Sequence, residues 1–175
     1  MKDASVTSRR PSKLRAAPPG GIPDHKPDAG NAGVDAVDCS FLQSLVGYNT
    51  RRASLVIWAA FTRRMAEFDL RQVDFSILSL VKHNPGITSR QLCQQLDVLP
   101  PNAVAMLAAL RKRGLVAREP HALDGRAISL FLTADGQTLM TRAEQTAAEL
   151  EQQVTGALTD SDRAHLNRLL QKIYK

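Results

Sequence analysis

The chain has 175 residues and a formal charge of +6, from 23 Lys and Arg against 17 Asp and Glu. That length allows one domain with a sizeable core plus a tail, and the basic balance fits a polyanionic partner. No apolar run could span a bilayer, the first residues are polar and proline-rich rather than a secretory leader, and two cysteines, Cys39 and Cys93, make no disulfide framework. A cytoplasmic protein without membrane contact is the expectation.

Residues 1–35 are rich in Pro, Gly, Ala, Asp and Lys/Arg and nearly devoid of large apolar side chains. Such a segment cannot bury enough surface to offset its ordering entropy, so a disordered tail is expected. Its basic cluster, Arg9, Arg10, Lys13 and Arg15, fits either a solvated charge run or an arm that adds phosphate or minor-groove contacts. From Val37 to Met65 the pattern predicts one long helix, with Leu42, Leu45, Tyr48, Leu55 and Phe61 on a buried stripe and Gly47 as a weak point. A second helix is expected over Arg71–His83, with Val73, Ile77, Leu80 and Val81 facing inward, and Asn84-Pro85-Gly86 stops it.

The stretch from Gly86 to Thr133 reads as helix, turn, helix and β-hairpin. Thr88 and Gln91 have capping-box spacing, and Leu92, Cys93 and Leu96 give the first helix an apolar side. Asp97 to Leu99 make the turn. Pro100 and Pro101 suit a first helical turn, so the second helix starts there and runs to Arg113, with Ala103, Val104, Leu107 and Leu110 toward the core. Gly114 ends it as a C′ residue. Strands are expected over Leu115–Glu119 and Ala127–Leu132, joined through the turn signal Asp124-Gly125. Helix-turn-helix followed by a hairpin wing is a DNA-reading order, one helix in the major groove and the hairpin tip at the neighbouring minor groove or backbone.

In that frame Asn102 is the base-reading candidate, because asparagine can pair bidentately with adenine. Pro101, Ala105 and Met106 surround it, the last two suited to thymine methyl contacts. Arg90, Arg111, Lys112 and Arg113 are candidates for phosphates. Arg126 follows the wing tip and can enter a narrow groove, with Asp124 able to hold its guanidinium. Beyond the wing, Thr133 caps a helix to about Gly156 bearing Leu139, Met140, Ala143, Ala147, Leu150 and Val154. Thr159 caps a last helix bearing Leu166, Leu169, Leu170 and Ile173. These terminal helices are too long and too apolar on one side for a lone wing domain to cover, which predicts packing against another chain.

No CxxC, HExxH, phosphate-cradling glycine loop or nucleophile elbow occurs, and the four histidines have no metal-ligand spacing. Neither a cofactor, a metal nor an enzymatic activity is expected.

The block PPNAVAMLAALRKRGLV, the wing signature Asp124-Gly125-Arg126 and SLFLTADGQ leading into a long helix together resemble the MarR family of winged-helix transcription factors, over nearly everything from Phe41 to Lys175. The resemblance implies a mainly α fold with a small β-wing: a winged helix-turn-helix over 67–133 and a helical dimerisation region over 36–66 and 134–175. It implies a two-fold homodimer built from the first and last helices, binding double-stranded DNA at an inverted-repeat operator, most simply as a repressor. Family recognition helices often carry Ser, Thr or Arg in their first two turns, where this chain has Pro100, Pro101, Asn102, Ala103, Val104, Ala105 and Met106. Sparse base reading, supplemented by DNA shape, follows. The start LQSLVGYNTRRASLVIWAAF is similar to a branch that senses aromatic acids or their coenzyme A thioesters. That similarity implies an aromatic acid or aromatic acyl-CoA effector, with Tyr48, Trp58 and Phe75 as pocket candidates (or as core) and Arg51 or Arg52 receiving a carboxylate or phosphate. Two rivals share the fold: a winged-helix protein-interaction module, and a redox switch through Cys39.

Overall fold

The computed structural model describes residues 37–121 and 127–175. The tail over 1–35 and the wing tip with Asp124, Gly125 and Arg126 lie outside the described residues. The chain divides into Met1–Asp38 and Cys39–Lys175, and every described element belongs to the second unit.

That unit begins with α1 (Ser40–Gln43) and α2 (Val46–Met65), then a short 3-10 turn (Ala66–Phe68) and α3 (Gln72–His83). Next come β1 (Ile87–Thr88), α4 (Ser89–Leu96), α5 (Pro100–Lys112), β2 (Val116–Pro120), β3 (Ile128–Leu132), α6 (Ala134–Val154) and α7 (Asp160–Tyr174). The strands form one antiparallel sheet in the order β1-β3-β2. Val116 faces Leu132 across the wing and Pro120 faces Ile128, so the hairpin lies within one residue of its expected bounds. The strand β1 is new: Ile87 and Thr88 pair with Leu130 and Ser129, a run too short for any alternation to reveal.

The expected single helix over Val37–Met65 is broken. Ser44 donates its hydroxyl to the Phe41 carbonyl (2.7 Å), and Leu45 is extended (φ −91°, ψ 127°). The Asn49 amide then donates to the carbonyls of Gln43 (2.7 Å) and Leu45 (2.9 Å). Side-chain partners of this kind satisfy backbone groups without a continuous helix, and Gly47 lowers the cost of interruption.

Local signals place the remaining helices. Thr88 Oγ1 accepts from the Gln91 N–H (3.3 Å) while the Gln91 side chain accepts from the Thr88 N–H (2.9 Å), closing the capping box of α4. Asp97 ends α4 in the left-handed region at φ +50°. Gly114 ends α5 at φ +72°, with its own N–H to the Arg111 carbonyl (2.8 Å) and the Leu115 N–H to that of Leu110 (3.1 Å). That is a Schellman ending, with Leu110 and Leu115 both buried beneath it. At α7, Thr159 hydrogen-bonds the Asp162 carboxylate through its hydroxyl (2.6 Å) and its N–H (3.0 Å), which holds that carboxyl below its ordinary range.

One core joins these elements: Met65 from α2, Ile77, Leu78 and Val81 from α3, Leu92 from α4, Leu107 and Leu110 from α5, Leu130 from β3, and Met140 and Ala143 from α6. The first half of α6 thus belongs to the reading head, and the helix continues past it, about 30 Å in all. The outer elements are different. Neither α1 nor α7 buries a residue, and α2 buries only Ala60 and Met65. Of the stripe expected to be buried, Tyr48 and Phe61 are half-buried, Phe61 against the core, and the rest is open: Leu42 is 43% exposed, Leu45 41% and Leu55 38%, with Phe41, Val56, Leu166, Leu169 and Ile173 also exposed.

A polar clamp fixes α3 to α6. Glu144 on α6 accepts from Ser79 (2.9 Å) and Lys82 (2.7 Å), and His83 Nε2 lies 3.0 Å from it. Burial raises the Glu144 pKa, but the hydrogen bonds of Lys82 and Ser79, the Lys82 charge and the His83 contact outweigh it, and the net shift is downward. A carboxyl whose folded pKa is depressed stabilises fully above its unfolded pKa and loses that contribution as pH falls through the folded one. Glu144→Gln should cost about 1–3 kcal/mol near neutrality. It should also flatten the acid limb of stability in urea titrations below the ordinary glutamate pKa; an unchanged acid limb would show the clamp to be energetically silent.

Candidate nucleic-acid interface

The second helix of the helix-turn-helix, α5, presents the candidate reading surface. Its N-cap is Leu99, extended (φ −63°, ψ 137°) and without a side-chain cap, and Pro100 and Pro101 fill the first turn. Ala103, Leu107 and Leu110 point into the core, spaced four and three residues apart. Pro101, Asn102 and Ala105 are exposed, as a base-reading role requires. Two neighbours change places with respect to the sequence expectation. Met106, a base-contact candidate, is half-buried against the core, whereas Val104, expected inside, is 62% exposed. The helix is alanine-rich and apolar on most sides, so residue type alone could not distinguish its buried stripe from its open face.

Val104 stands between two open grooves. One, about 420 Å³, is lined by Ser89, Arg90, Cys93, Gln94, Val98 and Pro100. The other, about 600 Å³, runs between the start of α4 and the root of the wing, past Arg90, Arg118 and His121. Arg118 projects from the outer half of β2, where three successive residues are exposed. Sequence reasoning overlooked it, although an arginine in the solvent-facing half of a wing strand is a readable signal. Arg90 and Arg118 both line this second groove, an arrangement that can neutralise a phosphodiester.

The basic run at the end of α5 divides. Arg111 and Lys112 are exposed, about 14 Å along the axis from Asn102. Arg113 is engaged within the chain instead. Its guanidinium donates to the carbonyls of Asp69 (2.7 Å) and Phe68 (3.1 Å), with the Asp69 carboxylate 3.6 Å away. Asp69 is left-handed (φ +50°), so Arg113 holds the strained corner that leads into α3. That corner is also set by Arg71, which pairs bidentately with the buried Asp74 (2.7 and 2.9 Å), raising the Arg71 pKa.

The effector candidates lie mostly on α2. Arg51, Arg52 and Trp58 are exposed and Tyr48 is half-buried. Phe75 packs edge-to-face on Phe61, ring centroids 5.3 Å apart, and borders a shallow groove with Ser79, His83 and Gln95 on the reading head. Cys39 and Cys93 are free thiols, both half-buried. Among the described residues no helix is long and apolar enough to cross a membrane, and no three His, Cys, Asp or Glu side chains cluster for a metal.

Comparison with known proteins places this geometry. A MarR family model matches residues 68–127. The transcriptional repressor CouR bound to a 23-mer DNA duplex superposes with a TM-score of 0.75 at 33% identity, covering 81% of this chain and 100% of that one. CouR bound to p-coumaroyl-CoA superposes with a TM-score of 0.68 at 33% identity, over 79% of this chain and 98% of that one. A MarR family protein of Mycobacterium tuberculosis in complex with salicylic acid gives a TM-score of 0.60 at 27% identity, over 74% of this chain and 96% of that one. The hairpin, the exposed α5 and the long α6 are therefore a winged helix-turn-helix in its usual frame, and the chain belongs to the MarR family of DNA-binding transcriptional regulators.

Proposed function

We propose that this regulator is a homodimeric repressor that binds an inverted-repeat operator and releases it when an aromatic acid or aromatic acyl-CoA binds. The observation that carries the reading is the pairing of an open α5 face, bordered by Arg90 and Arg118, with outermost helices α1 and α7 that bury no residue in the single chain. A fifteen-residue helix such as α7 is marginal alone, and its exposed Leu166, Leu169 and Ile173 gain stability by meeting a second copy. The dimerisation region draws on residues 36–66 and 134–175 and the reading head on residues 67–133, with Met65 and the first half of α6 packed into the core of the head. Two-fold symmetry then sets the two α5 helices about 34–36 Å apart, one turn of duplex.

In this reading Asn102 reads adenine, with Pro101, Ala105 and the half-buried Met106 shaping the surface around it. Arg90, Arg111, Lys112 and Arg118 neutralise phosphates. Arg126, steadied by Asp124, enters the minor groove. The bound ligands of CouR and of the mycobacterial protein support an aromatic effector. The α2 face with Tyr48, Arg51, Arg52 and Trp58 offers an aromatic wall and cations for it, and Phe75 braces that wall's base through Phe61. An effector acts only through its difference in affinity between DNA-competent and incompetent head spacings.

A salt series on the duplex upstream of the gene separates the roles. Loss of one phosphate contact in Arg118→Ala should lower the log–log salt slope by about 0.9 and leave sequence preference intact. Asn102→Ala should keep the slope and lose about 1–3 kcal/mol of discrimination at an adenine. A shallow wild-type slope would favour the protein-interaction module instead. In sedimentation, Leu169→Asp with Ile173→Asp should convert a dimer to a monomer that no longer holds the inverted repeat; a monomeric wild type would refute the dimer. With salicylate and p-coumaroyl-CoA as probes, Arg52→Ala should bind DNA like wild type but release it less. Unaltered release would remove Arg52 from the effector site, and misfolding, seen by circular dichroism, would make it a structural residue.

A further inference from the structure

We propose that α5 reads thymine through its 5-methyl group, with Val104 as the contacting residue and Ala105 beside it. This deepens the operator-binding reading above and rests on it.

Two observations converge. The first two turns of α5 carry one hydrogen-bonding side chain, Asn102, yet Val104 is 62% exposed. A reading surface so poor in donors and acceptors cannot discriminate mainly by hydrogen bonds.

The surroundings select the contact. Val104 borders both grooves, and Arg90 lines both, while Arg118 closes the far side of the wider one. An apolar ridge bracketed by guanidinium groups matches the floor of a major groove between phosphate strands. An uncharged apolar protein helix gives those arginines nothing to neutralise. On that floor the thymine 5-methyl is the apolar group that a base edge presents, and cytosine offers a donor beside a bare C5. Asn102 lies about 200° round the helix from Val104, on the other flank of the exposed face, so an adenine it reads belongs to a different base pair. Burying one methyl against an aliphatic side chain is worth about fourfold in affinity.

The test removes the methyl from either side of the contact. Full-length protein enriches a duplex from a random-sequence pool, and that duplex is resynthesised with deoxyuridine replacing each thymidine in turn. Wild type should lose about fourfold at one or two positions per half-site and nothing elsewhere. Val104→Ala should bind the thymine duplex more weakly by a similar factor and be indifferent to uracil at those same positions. Its thermal unfolding should match wild type, since the side chain is exposed. Wild-type indifference to uracil everywhere would overturn the proposal, as would a full uracil penalty retained in Val104→Ala. Failure to enrich any duplex would overturn selective DNA reading itself, which is a distinguishable result.

Discussion

Recognition helix, wing and long α6 are tied together at one small junction, and the rest of the reading head depends on it. The Thr133 hydroxyl donates to the Gly114 carbonyl (2.6 Å) and accepts from the Gly136 N–H (3.0 Å), and the Thr133 N–H donates to the Leu115 carbonyl (3.1 Å). Thus the residue that ends α5, the residue that starts toward β2 and the cap of α6 share one set of hydrogen bonds. Gly136 makes this possible, because a Cβ there would land well inside contact distance of the Leu115 carbonyl oxygen. That neighbour is backbone and cannot swing aside. The glycine lies at ordinary helical φ, so its role is the close approach and not a special conformation.

Because of that junction, α5 cannot tilt without carrying α6. The Glu144 clamp and the buried Met140 and Ala143 extend the same rigidity to α3. In the proposed dimer, an effector seated on α2 would then move each reading head as a body, through the distal part of α6, rather than bend α5 itself. Arg113 contributes to the same stiffness by spending its guanidinium on the corner before α3. The division of the Arg111–Arg113 run follows from helix geometry: successive residues point about 100° apart, so three adjacent cations cannot all face one duplex.

Much of this architecture was legible because local chemistry and tertiary packing agree. Thr88 with Gln91, Gly114, Thr133 and Thr159 each act at the terminus where their residue types predict, and the wing strands fall within one residue of expectation. Sequence reasoning failed where two solutions were locally equivalent. Ser44 and Asn49 could be read as ordinary helix residues or as side-chain caps, and their hydrogen bonds break the first helix. The stripe over Leu42 to Leu55 is apolar whether its partner is intramolecular or a second chain, and periodicity carries no such distinction. In α5, Ala103, Val104, Ala105 and Met106 present four apolar residues in a row, so only the packed structure identifies Val104 and Ala105 as turned outward.

An apolar reading face has a consequence for how selectivity is assembled. Phosphate contacts supply affinity without sequence information, and one buried methyl contributes only a small factor. In the proposed reading a single head with Asn102 and one or two methyl contacts would discriminate weakly. The two heads of the proposed dimer, held at fixed separation, would multiply their factors and reject half-sites at the wrong spacing. Selectivity would then reside less in any one side chain than in the rigid connection from Val104 through the Gly114–Thr133 junction to the apolar faces of α2 and α7. Loosening those helices would erode specificity before it eroded affinity for DNA at low salt.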